Sequence, residues 1–363
     1  MKNKTRQTLL IIIAAAILAV IVIVVMLFNG SGKSSSKIGY ILTGSKDEHG
    51  WNGMNYKGIE AVCSELDIEL LVEENILEGT GMCAEAVTKL AENNAEMIIL
   101  SSYGYPAEVR DIIAQYPDIS FYGISSDYYA DNMSSYFGRM YQARYLTGII
   151  AGMITETNSI GYVAAMPNSE VNRGINAFTL GVKRVNQEAE VKVIWTDSWD
   201  DEEKATAASE KLIEMGADLL AYHQNQPYAV KAAEKAGVYS IGYNEAETGL
   251  SDKYLTAAVW NWKELYNDIV KDFMQGKANS KQHHWCGLET GAVGISECSP
   301  LVTQEMLDEI KKAESEILSG QDVFSGEIYD NNGTLRCSTD EFISDSALMD
   351  NFDWYVDGVV ICE

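Results

Sequence analysis

After residue 37, short runs rich in β-branched and aromatic residues alternate with longer segments of helical periodicity. The short runs predict strands and the periodic segments predict helices. The predicted strands are residues 37–43, 68–73, 97–101, 119–124, 160–165, 191–196, 218–222, 238–242 and 254–260. The predicted helices are residues 52–65, 83–93, 106–115, 139–155, 171–186, 201–215, 227–236 and 263–276. Such βαβ alternation is typical of parallel sheets that are covered by helices on both faces.

The alternation starts again at Ser159, which favours two doubly wound, Rossmann-like α/β lobes. The alternative is one large mixed sheet, and the pattern leaves it open. In the two-lobe hypothesis, residues 38–135 form lobe one and residues 136–255 form lobe two. Residues 256–363 then return to lobe one and supply a C-terminal segment.

The N-terminus predicts a membrane anchor. Residues 1–7 are a basic stub, and residues 8–28 are 21 positions without a charge. At about 1.5 Å per residue this run is long enough to cross ~30 Å of hydrocarbon. Because the basic residues precede it, we expect a cytoplasmic stub and an extracytoplasmic globular region behind a flexible tether, residues 29–37. A cleaved signal peptide is the alternative, but the apolar run is long for one and no small-residue cleavage site follows it.

The net charge and the cysteine content limit the classes of function that the chain can have. The chain has 27 Lys and Arg against 53 Asp and Glu, a net charge of −26, which argues against nucleic acid as a partner. The six cysteines form no CxxC pair and no metal-ligand spacing, so buried thiols are favoured over one or two disulfides. We find no motif for a catalytic nucleophile, a metal or a cofactor. Neither a cofactor nor catalysis is therefore predicted.

Polar and aromatic residues collect in the loops that follow the predicted strands. Because doubly wound sheets bind ligands beyond the carboxyl ends of their strands, these loops supply the candidate binding residues. Four of the seven tryptophans lie there, which predicts a flat ligand that stacks on aromatic rings. For His223, a ligand hydrogen bond and a structural role both stay open. The loop candidates are Trp51, Asn52, Ser102, Trp199, His223, Asn225, Asn244 and Trp260.

Several ordered motifs resemble the basic membrane protein (BMP) family, most closely its purine-binding branch. They are residues 51–58 (WNGMNYKG), 139–152, 170–178, 195–200, 233–243 and 354–360. The resemblance implies a type I periplasmic-binding-protein fold that captures a purine base or nucleoside for an ABC importer, whose permease is the partner. It also implies ring-stacking aromatics at Trp51 and Phe178, one in each lobe. The chain departs from the lipidated cysteine that anchors many members, since no cysteine precedes Cys63.

The same resemblance implies a preference for a base over a ribonucleoside. Nucleoside-binding relatives carry two aspartates and a lysine where this chain has Leu42, Ala246 and Trp260. In the alternative, Asn244 and a water molecule replace one aspartate and nucleosides still bind. Two other functions stay open at this point: a nucleoside hydrolase or phosphorylase, and a ligand-sensing ectodomain of the same fold.

Overall fold

The computed structural model describes residues 36–48, 50–126, 130–276, 283–350 and 352–363. The predicted membrane-spanning segment, residues 8–28, lies outside these described residues, as do the basic stub and most of the tether. Within the described ranges, no helix is both long enough and apolar enough to cross a bilayer.

The predicted strands and helices all have observed counterparts, with ends that differ by at most two residues except where residues 106–115 divide into two short helices. The strands are β1 Lys37–Ile41, β2 Glu69–Glu73, β3 Met97–Leu100, β4 Ser120–Ile124, β5 Met133–Gly138, β6 Ser159–Ala164, β7 Glu190–Trp195, β8 Leu219–His223, β9 Tyr239–Asn244, β10 Tyr254–Trp260, β11 His283–Cys286, β12 Val293–Ile295, β13 Ile328–Tyr329, β14 Leu335–Cys337 and β15 Val359–Cys362. The helices are α1 Trp51–Leu66, α2 Met82–Glu92, α3 Tyr105–Glu108, α4 Arg110–Ile113, α5 Met140–Ile154, α6 Ser169–Val185, α7 Glu202–Glu214, α8 Tyr228–Ala236, α9 Trp262–Met274, α10 Gln304–Leu318 and α11 Asp345–Asp350.

Two separate sheets confirm the two-lobe prediction over the single mixed sheet. The first sheet has the order β2-β1-β3-β4-β5-β11, and all its strands are parallel. The second has the order β15-β7-β6-β8-β9-β10-β12, and only β12 runs antiparallel to its neighbour. Strands β13 and β14 form a small hairpin outside both sheets.

The strand pairing corrects the predicted lobe boundaries. The boundary at residue 135 falls inside β5, which lies in the first sheet, and the boundary at residue 255 falls inside β10, which lies in the second. Residues 256–363 do not return to lobe one as a block, because β12 and β15 pair within the second sheet. Hydrophobic periodicity identifies a strand, whereas the identity of its neighbour depends on contacts far apart in sequence.

The chain passes between the lobes after β5, after β10 and between β11 and β12. Hydrogen bonds tie these crossings together: the Arg139 amide donates to the Cys286 carbonyl oxygen at 2.7 Å, and the Asn261 amide to that of Ala292 at 2.8 Å. The lobes are therefore joined by three neighbouring connecting segments, an arrangement that allows the lobes to move about a common hinge.

Both faces of the first sheet are covered, as the alternation predicts. Ile38 and Tyr40 of β1 pack in one apolar cluster with side chains of α1 and α9, whereas Ile41 packs in a second cluster with α2. Burying the two faces beneath helices leaves the carboxyl ends of the strands as the open edge of each lobe.

Candidate ligand cleft

Each sheet has one place where the strand order reverses direction. In the first sheet this is between β1 and β3, and in the second it is between β6 and β8. The helices that follow the two strands of such a pair leave on opposite faces of the sheet, so a crevice opens beyond the carboxyl ends of the strands. These two crevices are the natural place to look for a ligand site.

Trp51 and Ser101 meet at the crevice of lobe one. The indole Nε1 of Trp51, the first residue of α1, donates to the carbonyl oxygen of Ser101 at 3.0 Å. The Trp51 ring also packs edge-on against Trp262, with 5.1 Å between ring centroids. Trp51 is half-buried and firmly held. Next to it, the hydroxyl of Ser102 donates to the Glu78 carboxylate, which places Ser102 at the rim.

Asn52 orders the loop between β1 and α1. Its Nδ2 donates to the Glu48 carboxylate, and its Oδ1 accepts from the Thr43 hydroxyl at 3.0 Å. Its side chain is buried and engaged at both ends. The structure therefore gives Asn52 a role in positioning the loop that carries Trp51.

His223 and Glu170 occupy the matching crevice of lobe two. His223 is the last residue of β8, and Glu170 lies in the first turn of α6. The His223 Nε2 and a Glu170 carboxylate oxygen are 3.7 Å apart. Burial, assisted by the positive charges of Arg144 and Arg173, lowers the pKa of His223 to about 4 although Glu170 opposes the shift. The imidazole is therefore neutral at physiological pH and offers one donor and one acceptor.

The ionisation of Glu170 follows from the same neighbours. Burial alone would raise the pKa of the Glu170 carboxyl, but the proximity of His223 and of the two arginines outweighs it and holds the pKa below its usual value. Glu170 is thus a carboxylate at neutral pH and supplies hydrogen-bond acceptors only.

Trp199 and Asn225 complete the wall of lobe two and reach lobe one. The Trp199 ring is 40% exposed and lies edge-on to His223, with 6.0 Å between centroids. The Asn225 amide donates to the Trp199 carbonyl oxygen at 2.9 Å. Across the cleft, Gly50 has φ +87°, and a Cβ placed on it would lie 3.2 Å from the Asn225 carbonyl oxygen. The two crevices therefore face each other and the lobes touch at this point.

The ends of β9 and β10 form the floor beside this contact. Asn244 ends β9 with a left-handed φ of +70° and is buried. The Trp260 indole donates to the Tyr243 hydroxyl at 3.3 Å, and its ring stacks on Trp262 at 4.6 Å. A Cβ on Gly138 would overlap the Trp260 ring. Trp262 thus covers one face of the Trp260 ring, and the chain at Gly138 meets the edge of that ring.

Phe178, for which the resemblance implied a stacking role, lies in the core and not on the surface of the cleft. Phe178 lies in the middle of α6, is 0% exposed, and packs against Tyr162 at 5.5 Å between centroids. It lies one helical turn deeper than Gly174, away from the strand ends. The motif predicted the helix, but the face of α6 that carries Phe178 lies against the β6 strand. Trp199 is the exposed aromatic ring on the lobe-two side of the cleft.

Sequence reasoning missed four residues of this region. Gly50, Arg144, Glu170 and Tyr243 were each part of a predicted loop, helix or strand, but none was considered a site residue. Arg144 carried a usable signal: it is the only charged residue of α5 and is 0% exposed. A lone arginine on a buried face of a helix indicates that something nearby needs its charge.

The free thiols agree with the interpretation that the sequence favoured. All six cysteines are free. Among the described residues, no group of three His, Cys, Asp or Glu side chains could hold a metal ion.

Comparisons with known proteins identify the family. A family model described as "Bmp: ABC transporter substrate-binding protein PnrA-like" matches residues 35–325. The chain belongs to this Bmp family. The match confirms the resemblance that the motifs indicated, and it places the chain among substrate-binding proteins of ABC transporters.

Individual Bmp-family relatives differ in the ligands that their names give. A Haloferax volcanii protein, "Putative ABC transporter glucose-binding protein TsgA13", is 36% identical over 272 residues, which is 74% of this chain and 66% of that protein. A Brucella abortus "Purine-binding protein BAB2_0673" is 30% identical over 333 residues, 89% of this chain and 92% of that protein. The crystal structure of a transcriptional activator of the comK gene from Bacillus halodurans shares the fold, with a TM-score of 0.72, 23% identity, and coverage of 79% of this chain and 99% of that one.

Proposed function

We propose that this protein captures a purine between its two lobes outside the cytoplasm and delivers it to an ABC permease. The observation that carries the proposal is the meeting of the two crevices: Gly50, next to Trp51, faces Asn225, next to the His223 and Trp199 cluster. A flat ring held here would have an indole on each side and a polar wall at its edge. The 30% identical relative that is named a purine-binding protein supports the same ligand class.

The second candidate ligand is a sugar. Two observations favour it: the name of the 36% identical relative gives glucose, and indole rings also stack on sugars. The polar groups of the cleft favour the purine: a neutral imidazole and a carboxylate 3.7 Å apart suit the alternating donors and acceptors of a heterocycle edge.

Calorimetry on the purified full-length protein with adenine, hypoxanthine, inosine and glucose separates the candidates. Saturable binding of a purine, with no heat from glucose, is the expected result. Mass spectrometry of small molecules released on denaturation identifies any ligand that co-purifies. Glucose binding without purine binding would reject the proposal. Release of free base from inosine would show that the protein is instead a nucleoside-processing enzyme.

We further propose that a base binds more tightly than its ribonucleoside. Leu42 is fully buried in the core and Trp260 is stacked on Trp262, so neither position offers a hydroxyl a partner. A buried hydroxyl without a partner costs about 1–3 kcal/mol, so hypoxanthine should bind at least about tenfold more tightly than inosine. Tighter binding of inosine would show that Asn244 and ordered water hold the ribose.

Attachment to the membrane by residues 8–28 belongs to the same proposal. The uncharged run and its basic flank support it. Carbonate extraction of cell membranes should leave the protein in the pellet, and mass spectrometry should find peptides from residues 1–28. A mature chain that begins near Gly30 would show that the segment is removed.

A further inference from the structure

Several buried polar atoms in lobe two have no hydrogen-bond partner among the described residues, and five of them form one cluster. These five are Nε and Nη2 of Arg144, the hydroxyl of Tyr162 and both ring nitrogens of His223. They lie close together. The Arg144 guanidinium carbon is 4.0 Å from the Tyr243 ring centroid, and that ring is 4.5 Å from the His223 ring. A Cβ on Gly174 would lie 3.3 Å from the His223 Nδ1 and 3.9 Å from the Tyr162 oxygen.

The cluster carries an excess of positive charge and of donors. Arg144 and Arg173 are both buried and Glu170 is the carboxylate beside them, while His223 is neutral at physiological pH. One positive charge therefore stays without a counter-charge within the group. The Arg144 Nη1 donates to the Tyr222 carbonyl oxygen at 2.8 Å, which leaves Nε and Nη2 unused. Buried charge and buried donors without partners are costly, so the cluster needs an acceptor from elsewhere.

The cluster is continuous with the cleft. The His223 ring contacts both the exposed ring of Trp199 and the Tyr243 ring, and the Arg144 guanidinium stacks on the Tyr243 ring. Glu170 lies beside His223 and keeps 27% of its side chain exposed. A flat ligand held between Trp51 and Trp199 would present its edge to this wall.

We propose that this cluster, given the proposed capture of purines, selects 6-oxopurines over 6-aminopurines. A 6-oxopurine such as hypoxanthine carries a carbonyl oxygen at C6 next to an N1–H donor. The oxygen accepts from the unpaired donors of Arg144, directly or through an ordered water, and N1–H donates to Glu170. Adenine reverses both groups: its amino hydrogens would face the guanidinium and its N1 lone pair would face the carboxylate. Mismatched buried polar groups discriminate strongly between analogues.

The test is calorimetric titration of the purified full-length protein with hypoxanthine and with adenine. We expect hypoxanthine to bind at least about tenfold more tightly. In Glu170→Gln we expect hypoxanthine affinity to fall about tenfold and adenine affinity to change less than about threefold, because an amide can accept or donate. Glu203→Gln is the matched control: Glu203 also lies in the first turn of a helix, α7, but is exposed and outside the cleft. It should keep the wild-type preference.

The outcomes separate this inference from the proposed function. Adenine binding as tightly as hypoxanthine, or an equal loss of both bases in Glu170→Gln, would overturn the 6-oxopurine preference while leaving purine capture intact. Failure of both bases and of inosine to bind would overturn purine capture itself. If thermal unfolding shows that Glu170→Gln does not fold, the wild-type comparison of the two bases decides the question without it.

Discussion

Replacing Trp199 by Ala and Phe178 by Leu distinguishes the two aromatic residues that lobe two could offer to a ligand. Trp199 is 40% exposed and makes one edge contact with His223, so its removal disturbs little buried packing. Phe178 is 0% exposed and packs against Tyr162, so its replacement disturbs the core. The two variants should therefore differ in which property they change.

The magnitudes follow from these environments. Loss of base stacking in Trp199→Ala should cost about 1–3 kcal/mol of binding, or roughly 5- to 150-fold in Kd. Its folding stability should change by only about 0.5 kcal/mol, as at other surface positions. Phe178→Leu should instead lower the free energy of unfolding by roughly 1.5 kcal/mol, the cost of an imperfect hydrophobic replacement in a packed core. Its Kd should stay within about twofold, because the ring lies below the cleft.

Isothermal titration with hypoxanthine measures the Kd, and urea unfolding of the ligand-free protein measures stability. Running both on the same preparations keeps a loss of folded protein from being mistaken for a loss of affinity. A large loss of affinity in well-folded Phe178→Leu, together with unchanged binding in Trp199→Ala, would refute the assignment of Trp199 to the cleft.

Three further predictions follow from the same region and the core. Gly50→Ala should weaken ligand binding, because it adds about 1–3 kcal/mol of backbone strain and blocks the contact between the lobes. Gly79→Ala is the control and should bind normally in the same titration, since Gly79 has φ +72° but nothing within 4 Å of an added Cβ. Equal Kd values for the two variants would contradict this prediction. The pKa of His223 is lowered to about 4 in the folded protein, so protonation of this residue at low pH favours the unfolded state. The free energy of unfolding should therefore be highest above pH 6.5 and should fall as the pH approaches 4, with a loss of roughly 2 kcal/mol at pH 5. Urea unfolding of His223→Gln should show a smaller loss between pH 7 and pH 5. Burial raises the pKa of Cys63 to about 12, so Ellman's reagent should count fewer than six thiols in native protein and six after unfolding; fewer than six after unfolding would indicate a disulfide.

The alternation of strands and helices was readable from the sequence because it depends on local periodicity. A short apolar run in β1, buried at four of its five positions, and a helical period in α6 are enough to predict both elements, and their repeated alternation predicts a parallel α/β fold. The loops at the carboxyl ends of the strands could also be named in advance, since parallel strands place these ends at one edge. This is why Trp51, His223 and Asn225 were identified before the structure.

Long-range geometry decided the rest. Whether β10 pairs in the first or the second sheet depends on hydrogen bonds to strands distant in sequence, and no local pattern encodes that choice. The orientation of α6 places Phe178 in the core, whereas the loop between β7 and α7 leaves Trp199 exposed. Likewise, Arg144 of α5, Glu170 of α6 and His223 of β8 become one polar cluster only when the helices pack on the sheet. Periodicity determines which residues form each helix or strand, but charges and rings act on one another through space, and only tertiary packing sets those distances.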